Sequence, residues 1–367
     1  MYKRLRYILF FLIIAGCVEP YNFRITDNEP TLVVEAFVSD KSFNETLTYP
    51  SDGRYFTVKL SWTGDVINIR AVLVSGAYVR LVSDSNEEWQ YLEISNSPGI
   101  YELPDKDFKA EPGKQYKLVI TVPGDDDYES DWEKLPSTVA PPMGSITFEE
   151  TSILKKQPGG LTPLLGVVPK LSVTVNNTGE TLYYRWKLDP TWIYVAPLAA
   201  TQGGPSNGRT CWATSPYYLN NFVLQEDHGG GYDKELFFMD VEQNERVLEE
   251  FSLLAVQHTL SENNYYFWKE MQGLNQEGSI FDTPPFNLKT NFSSASGKKV
   301  SGYFGVVGEQ ATRWYFNIRD LSYGIDNWLI PACSLPCGPG CPPPNCTSCL
   351  RYEGGTPTNV KPVWWGR

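Results

Sequence analysis

The chain has 367 residues, 41% hydrophobic and 20% charged, a globular balance that excludes a disordered or fibrous polymer. Its formal net charge of −12 works against nucleic acid and against an anionic membrane surface as partners. Aromatic content is 14%, with 22 Tyr and 11 Trp, which suits sheet surfaces and contact faces because these rings bury area and keep a polar handle.

Met1-Tyr2-Lys3-Arg4-Leu5-Arg6 is basic and precedes an apolar run from Tyr7 to Ala15. A run of about ten residues is a signal h-region, shorter than the ~20 that cross a bilayer. Ile14-Ala15-Gly16-Cys17 fits the bacterial lipobox, where small residues before a cysteine admit signal peptidase II. Residues 1–16 are therefore predicted as a lipoprotein signal peptide, Cys17 as the lipidated first residue of the mature protein, and 17–29 as a tether. An ordinary secretory signal with a buried cysteine is the competing interpretation. At about 0.8 kcal/mol per buried CH₂, two or more acyl chains hold a protein firmly at a membrane. Loss of Lys3, Arg4 and Arg6 with the signal takes the formal charge from −12 to −15. A mature chain of roughly 350 residues exceeds one comfortable core and predicts two domains.

From Thr31 the pattern is strand-like. Residues 32–38 are β-branched and apolar, and Phe56-Thr57-Val58-Lys59-Leu60-Ser61-Trp62 alternates with period two. Residues 78–82, 89–94 and 116–122 continue the series. Turn signals fall between them at Ser51-Asp52-Gly53, Asp84-Ser85-Asn86, Ser97-Pro98-Gly99 and Glu111-Pro112-Gly113. Short strands at such intervals predict an Ig-like antiparallel β-sandwich over 30–140. Within it, Ser75-Gly76-Ala77-Tyr78-Val79-Arg80-Leu81, Gly99-Ile100-Tyr101 and Pro112-Gly113-Lys114-Gln115-Tyr116 resemble the carboxypeptidase-regulatory or prealbumin-like branch of Ig-type modules. The densest acidic run is Asp125-Asp126-Asp127-Tyr128-Glu129-Ser130-Asp131. Oxygen ligands at Asp125, Asp127 and Glu129 would suit Ca²⁺, but the run lacks EF-hand spacing and reads first as a solvated loop.

A stiff Pro-Ser-Thr-Val-Ala-Pro-Pro stretch at 136–142 marks the expected domain boundary. The second region, 141–367, is again mainly β, with strands expected at 171–175, 182–188, 300–307 and 314–318. A small, Gly-rich loop over 197–209 leads into Cys211-Trp212. One helix is expected near 261–274: Ser261 is a good N-cap, Leu260 and Tyr265 stand at hydrophobic-staple positions, and Phe267, Met271 and Leu274 recur at helical spacing as a core stripe. Gly273 weakens its last turn.

Seven cysteines become six once Cys17 carries lipid, and an even number in an exported chain predicts three disulfides. Cys333, Cys337, Cys341, Cys346 and Cys349 crowd the Cys/Pro-rich segment 331–350, and Cys211 is distant. If all six pair, Cys211 reaches into that cluster and the rest form two local bridges. The alternative is zinc at Cys346-x-x-Cys349, which an oxidising compartment disfavours. Pro336, Pro339, Pro342, Pro343 and Pro344 forbid regular structure there, so staples are needed for order.

No catalytic constellation stands out. His228 and His258 are the only histidines, neither within His-Glu-x-x-His, and the chain has no nucleophile elbow and no phosphate-binding loop. His258 follows a strand and reads as structural; His228 lies in the loop Glu226-Asp227-His228-Gly229-Gly230-Gly231 and reads as solvated. No cofactor and no metal is expected. The expectation is a binder with an aromatic contact surface at Trp212, Tyr217 and Tyr218; for Trp212 a buried anchor beneath the Cys211 bridge competes.

The lipobox at Cys17, Pro30-Thr31-Leu32-Val33-Val34-Glu35-Ala36 and Pro112-Gly113-Lys114-Gln115-Tyr116 resemble the DUF4249 family of Bacteroidetes lipoproteins, whose function is unknown. The likeness continues through Cys211-Trp212, Tyr265-Tyr266-Phe267-Trp268, Gly302-Tyr303-Phe304-Gly305 and Gly354-Gly355-Thr356-Pro357-Thr358-Asn359-Val360-Lys361-Pro362, nearly the full length. The resemblance implies a lipid-anchored envelope lipoprotein, often found with TonB-dependent outer-membrane receptors, and supplies no catalytic residues. The expected role is a non-catalytic accessory or binding component of an outer-membrane transporter, on the cell surface rather than the periplasmic leaflet, although Val18-Glu19-Pro20 is poor in the acidic residues of a surface-export signal. Capture of a soluble glycan or peptide is the alternative, and an enzyme with an unrecognised site the third.

Overall fold

Period-two alternation of apolar and polar side chains organises the chain into strands in a computed structural model that describes residues 30–49, 51–63, 72–157, 160–199, 208–215, 219, 222–276, 289–334 and 342–366. The first strands are β1 (Leu32–Ser39), β2 (Thr57–Trp62), β3 (Val72–Leu73), β4 (Tyr78–Ser83), β5 (Glu88–Glu93), β6 (Ile100–Glu102), β7 (Gln115–Thr121), β8 (Asp127–Ser130) and β9 (Glu133–Lys134). They are followed by β10 (Ile146–Gln157), β11 (Gly160–Val173), β12 (Leu182–Val195), β13 (Thr210–Thr214), β14 (Val223–Asp227), β15 (Tyr232–Glu235) and β16 (Met239–Asp240). The last are β17 (Phe251–Leu260), β18 (Phe292–Ser294), β19 (Val300–Phe316) and β20 (Thr356–Thr358). Among the described residues the helices are few: α1 (Phe43–Thr46), α2 (Glu262–Gln276), α3 (Leu329–Ser334) and α4 (Pro344–Thr347). The protein is mainly β, as expected.

Sixteen strands form one mixed sheet in the order β18-β8-β7-β4-β5-β6-β2-β1-β19-β17-β12-β13-β20, with β3, β9 and β14 added on β2, β7 and β12; β10, β11, β15 and β16 form a second sheet. Strand β5 changes partner midway: its first residues pair with β4, whereas Leu92 and Glu93 pair with β6. As a result Val79, Leu81, Leu118 and Ile120 from one run of strands share a core with Leu32, Val34, Val58 and Leu60 from the other. A second core lies between the two sheets, where Trp186, Trp192, Phe251, Leu253 and Phe316 meet Ile146, Val167, Leu171 and Val173.

Strand β19 serves both cores. Over 17 residues, about 55 Å of extended chain, it pairs in parallel with β1 through 300–307 and antiparallel with β17 through 308–316. Phe304 and Val306 enter the first core, Trp314 and Phe316 the second. Its approach to its neighbours requires glycine twice. Gly302 sits at φ +122°, and a Cβ there would meet the Val34 carbonyl oxygen at 2.0 Å; at Gly305 it would meet the Asn264 side chain of α2 at 2.2 Å. The stretch at 136–142 is held to the same strand, because Gln310 Nε2 donates to the Ala140 and Pro141 carbonyls. Thr31–Arg367 is one compact unit.

Where β19 passes from β1 to β17, the Glu309 side chain is 1% exposed and must be matched. Arg54 Nη2 donates to its Oε2 at 2.7 Å and to Ser39 Oγ at 3.1 Å. His258 Nε2 lies 3.5 Å from the same carboxylate oxygen, and the Glu309 amide donates to Asp40 Oδ1 at 2.8 Å. The Arg54 guanidinium also lies over the rings of Phe56 and Phe37. Burial pushes the Glu309 carboxyl up, but the His258 hydrogen bond and the Arg54 charge outweigh it and hold it at about 2. Burial takes His258 down to about 4 against the pull of Glu309, so the imidazole is neutral at pH 7.

Both shifts make acid destabilising. Between the ordinary histidine value of 6.5 and about 4, the unfolded chain binds a proton that folded His258 refuses; between 4.5 and about 2, the Glu309 contribution is lost. We expect thermal stability to fall in that first window, before most carboxylates titrate, and His258→Gln to abolish the first step. Arg54→Met should cost about 3–5 kcal/mol in urea unfolding, since it leaves a buried carboxylate without its cation.

Candidate functional site

Strand β13 alternates so that Cys211 and Ala213 enter the second core while Trp212 faces the other way. Cys211 is bonded to Cys349 across 138 residues, and Cys333 to Cys346 across 13. Cys346 and Cys349 thus hold different sulfurs, and the zinc alternative for that pair is replaced by disulfides. Cys337 and Cys341 lie outside the described residues. The stapled segment is further fixed to β12: Tyr352 stacks on Tyr194 at 4.2 Å, and Asn345 Nδ2 donates to Tyr194 Oη at 2.8 Å. Tyr352 Oη in turn donates to Glu245 at 2.6 Å.

Trp212 is half-buried and packs edge-on against Trp365, with ring centres 6.5 Å apart. Tyr315 meets Trp365 at 5.6 Å, and the Arg313 guanidinium lies 3.7 Å above the Trp364 ring. Arg313 Nη1 donates to Ser252 Oγ at 2.9 Å. Across β17, Asp189 and Arg313 both stand opposite Leu254, about 10 Å apart by strand spacing. Asp189 is exposed at the strand surface, yet its neighbours exclude enough water to raise its carboxyl pKa against the charges of Lys187 and Arg313. Burial lowers Arg313 to about 10. The indole N–H groups of Trp212, Trp364 and Trp365 are buried and find no acceptor among the described residues. The result is a group of three indoles, a phenol and a stacked guanidinium on one sheet face, in which Trp365 is buried and Trp212, Arg313, Tyr315 and Trp364 are partly exposed. Tyr217 and Tyr218, the other expected contact residues, lie outside the described residues.

A second aromatic–cation group occupies the far end of β12 on the same face. The Arg185 guanidinium is 3.6 Å from the centre of Trp268 on α2 and 5.3 Å from Phe222, and burial lowers its pKa to about 10. Helix α2 starts one residue after Ser261 as expected, and Leu260 and Tyr265 share a small core. It runs on past Gly273 to Gln276. Sequence gave no sign of Arg313–Trp364 or Arg185–Trp268, whose partners come from distant segments.

The remaining candidate residues are engaged elsewhere. Asp125, in the β7–β8 turn, pairs with Lys298 and accepts from Tyr128; Asp126 accepts from Ser296, and Glu129 pairs with Lys117. No cluster of three or more His, Cys, Asp or Glu positioned for a metal occurs among the described residues. His228 is exposed, with Nδ1 3.2 Å from Thr181 Oγ1. His258 and Glu309 are sealed from solvent, so that pair reaches no substrate. A pocket of about 220 Å³ beside the disulfides is lined by Tyr194, Arg209, Glu245, Glu249 and Leu329, and is small for a drug-sized ligand.

The profile of the family described as Domain of unknown function (DUF4249) matches residues 18–313. No curated protein matches the chain.

The bridges are testable by peptide mapping without reduction, which should recover Cys211 joined to Cys349 and Cys333 joined to Cys346. Cys211→Ser should cost about 4–5 kcal/mol on the chain-entropy model, from the length of the loop it opens. A free Cys211 thiol in the native protein contradicts the assignment.

Proposed function

The chain belongs to the DUF4249 family, and on that premise we propose that it is a non-catalytic envelope lipoprotein, lipidated at Cys17, that binds an outer-membrane partner through the aromatic–cationic face around Trp212. The observation that carries this reading is the patch itself: Trp212, Tyr315 and Trp364, partly exposed around the buried Trp365, with Arg313 stacked on Trp364. Trp, Tyr and Arg are the residues that dominate binding energy at protein interfaces. The partner class, a TonB-dependent-type transporter or machine, rests on the family resemblance. The leaflet we favour is the outer one. The two disulfides fit an extracytoplasmic, oxidising compartment. The region 30–140, with β18 and the start of β19, we read as an Ig-like sandwich of the prealbumin type, supported by the partner change in β5.

A second reading, capture of a soluble glycan or peptide, is favoured by the partly exposed rings of Trp212, Tyr315 and Trp364, on which an apolar ligand face can stack.

Cys17→Ser should release the protein from membranes or leave its precursor uncut; a processed, membrane-bound mutant contradicts lipidation. With the anchor intact, Trp364→Ala together with Arg313→Ala should weaken partner co-purification by roughly thirtyfold or more, the effect of losing 2 kcal/mol at a hot spot. Tyr217→Ala with Tyr218→Ala tests the other two expected contact residues in the same assay. Unchanged co-purification removes the patch from the site, and turnover of a substrate by the pure protein overturns the binder reading.

A further inference from the structure

Strands β10 and β11 pair along their whole length, from Ile146↔Leu171 out to Gln157↔Gly160. Their other neighbours stop early: β15 pairs only with 170–173 and β16 only with Gly166 and Val167. Beyond Leu165, whose carbonyl still accepts from the Val241 amide, the two strands continue alone for about five residues each, roughly 17 Å at the rise of a strand. An isolated two-stranded ribbon is marginal in water even with a polar surface. This one is apolar. Ile153 is 43% exposed, Leu154 66% and Leu161 67%. Pairing places Leu154, Leu161 and Pro163 on the face that carries Phe148 and Val167 into the second core, so the core face runs on into solvent, while Ile153 stands on the opposite face.

The charge of the ribbon is equally distinctive. From Thr151 to Gly166 the sequence is TSILKKQPGGLTPLLG, with Lys155 and Lys156 and no acid, in a chain of net charge −12. The acids at its base are engaged: Glu149 pairs with Lys170, and Glu150 accepts from Ser322.

We propose that this ribbon is a membrane-docking finger: Ile153, Leu154 and Leu161 enter the acyl boundary of a lipid surface, and Lys155 and Lys156 bind anionic lipid headgroups. Residue chemistry separates this occupant from a protein partner. Protein interfaces are enriched in aromatic residues and Arg and depleted in Lys, with Leu under-represented among hot spots. The finger has Leu, Ile and Lys and no aromatic residue or Arg. Leucine flanked by lysines that snorkel is the pattern of interfacial membrane binding. The acidic body is repelled by the same headgroups, which confines contact to the ribbon. The proposal is independent of Cys17.

The test uses the chain from Val18 onward, which retains the compact unit Thr31–Arg367 and lacks signal and anchor. Its sedimentation is measured with phosphatidylcholine vesicles containing a third of phosphatidylglycerol, and with pure phosphatidylcholine. We expect binding to the anionic vesicles that weakens at high ionic strength. Lys155→Gln with Lys156→Gln should lower the affinity about 25-fold, at about fivefold per lysine. Leu154→Asp with Leu161→Asp should abolish binding, while the circular dichroism and urea midpoint stay unchanged because both side chains are exposed. Failure of the parent chain to sediment, equal binding by the Asp variant, or equal binding to both vesicle types overturns the proposal. So does a parent chain that self-associates through the finger without binding vesicles.

Discussion

A single buried carboxylate fixes where the two halves of the fold meet. Glu309 cannot be left without a partner in a site with almost no solvent, and the groups that satisfy its carboxylate come from two separate elements: Arg54 from the segment between β1 and β2, and His258 from β17, while Asp40 accepts from its backbone amide. Each supports a different neighbour of β19 at the residue where its pairing changes from parallel to antiparallel. A shift of the strand by one residue would turn Glu309 to the other face of the sheet and leave Arg54 between two phenyl rings with no anion. The network therefore sets the register of β19 against β1 and β17 together, and through β19 the alignment of both cores.

That constraint also determines where contact surfaces can arise. On the face of β12, β17 and β19 turned away from the second core, Arg185, His258 and Glu309 stand directly opposite one another, with Trp268 over Arg185. Arg313 with Trp364 lies four residues further along β19. In both cases the guanidinium is crowded enough for its pKa to drop, and an aromatic ring supplies part of the stabilisation that water would otherwise give.

Local pattern was readable in the sequence, and long-range pairing was not. The alternation of Phe56 to Trp62 and of Leu182 to Leu188 reported strands correctly because one face of each is buried. The staple of Leu260 and Tyr265 reported the start of α2, whereas its end was obscured because the cost of one glycine, about 1 kcal/mol, is easily offset by packing. Cysteine parity pointed from Cys211 into the C-terminal cluster and left the partner open. Nothing local announces that β1 lies in parallel beside β19, or that Arg54 meets a carboxylate 255 residues away. The aromatic content was legible as a number only. Trp186, Trp192, Tyr101, Tyr116, Tyr128, Tyr184 and Tyr194 all serve the interior, so abundance itself did not indicate a contact surface. Of the residues expected at the contact surface, Trp212 meets its neighbours from the far side of β13, while Tyr217 and Tyr218, like the expected lipidation site Cys17, lie outside the described residues.

The proline-rich segment explains why a contact surface is built beside disulfides. Pro342, Pro343 and Pro344 offer no backbone donors, and Pro344 opens the short helical turn α4. Left untied, it would have to be ordered by whatever binds nearby, and each immobilised side chain would subtract from affinity. The Cys211–Cys349 and Cys333–Cys346 bridges, the Tyr194–Tyr352 stack and the Asn345 hydrogen bond impose that order during folding instead. The short pairing of β20 with β13 then sets Thr358 opposite Trp212, a few residues before Trp364 and Trp365 reach Arg313 and Tyr315. Opening the Cys211 bridge would thus loosen the aromatic patch as well as the core, because the same segment supports both.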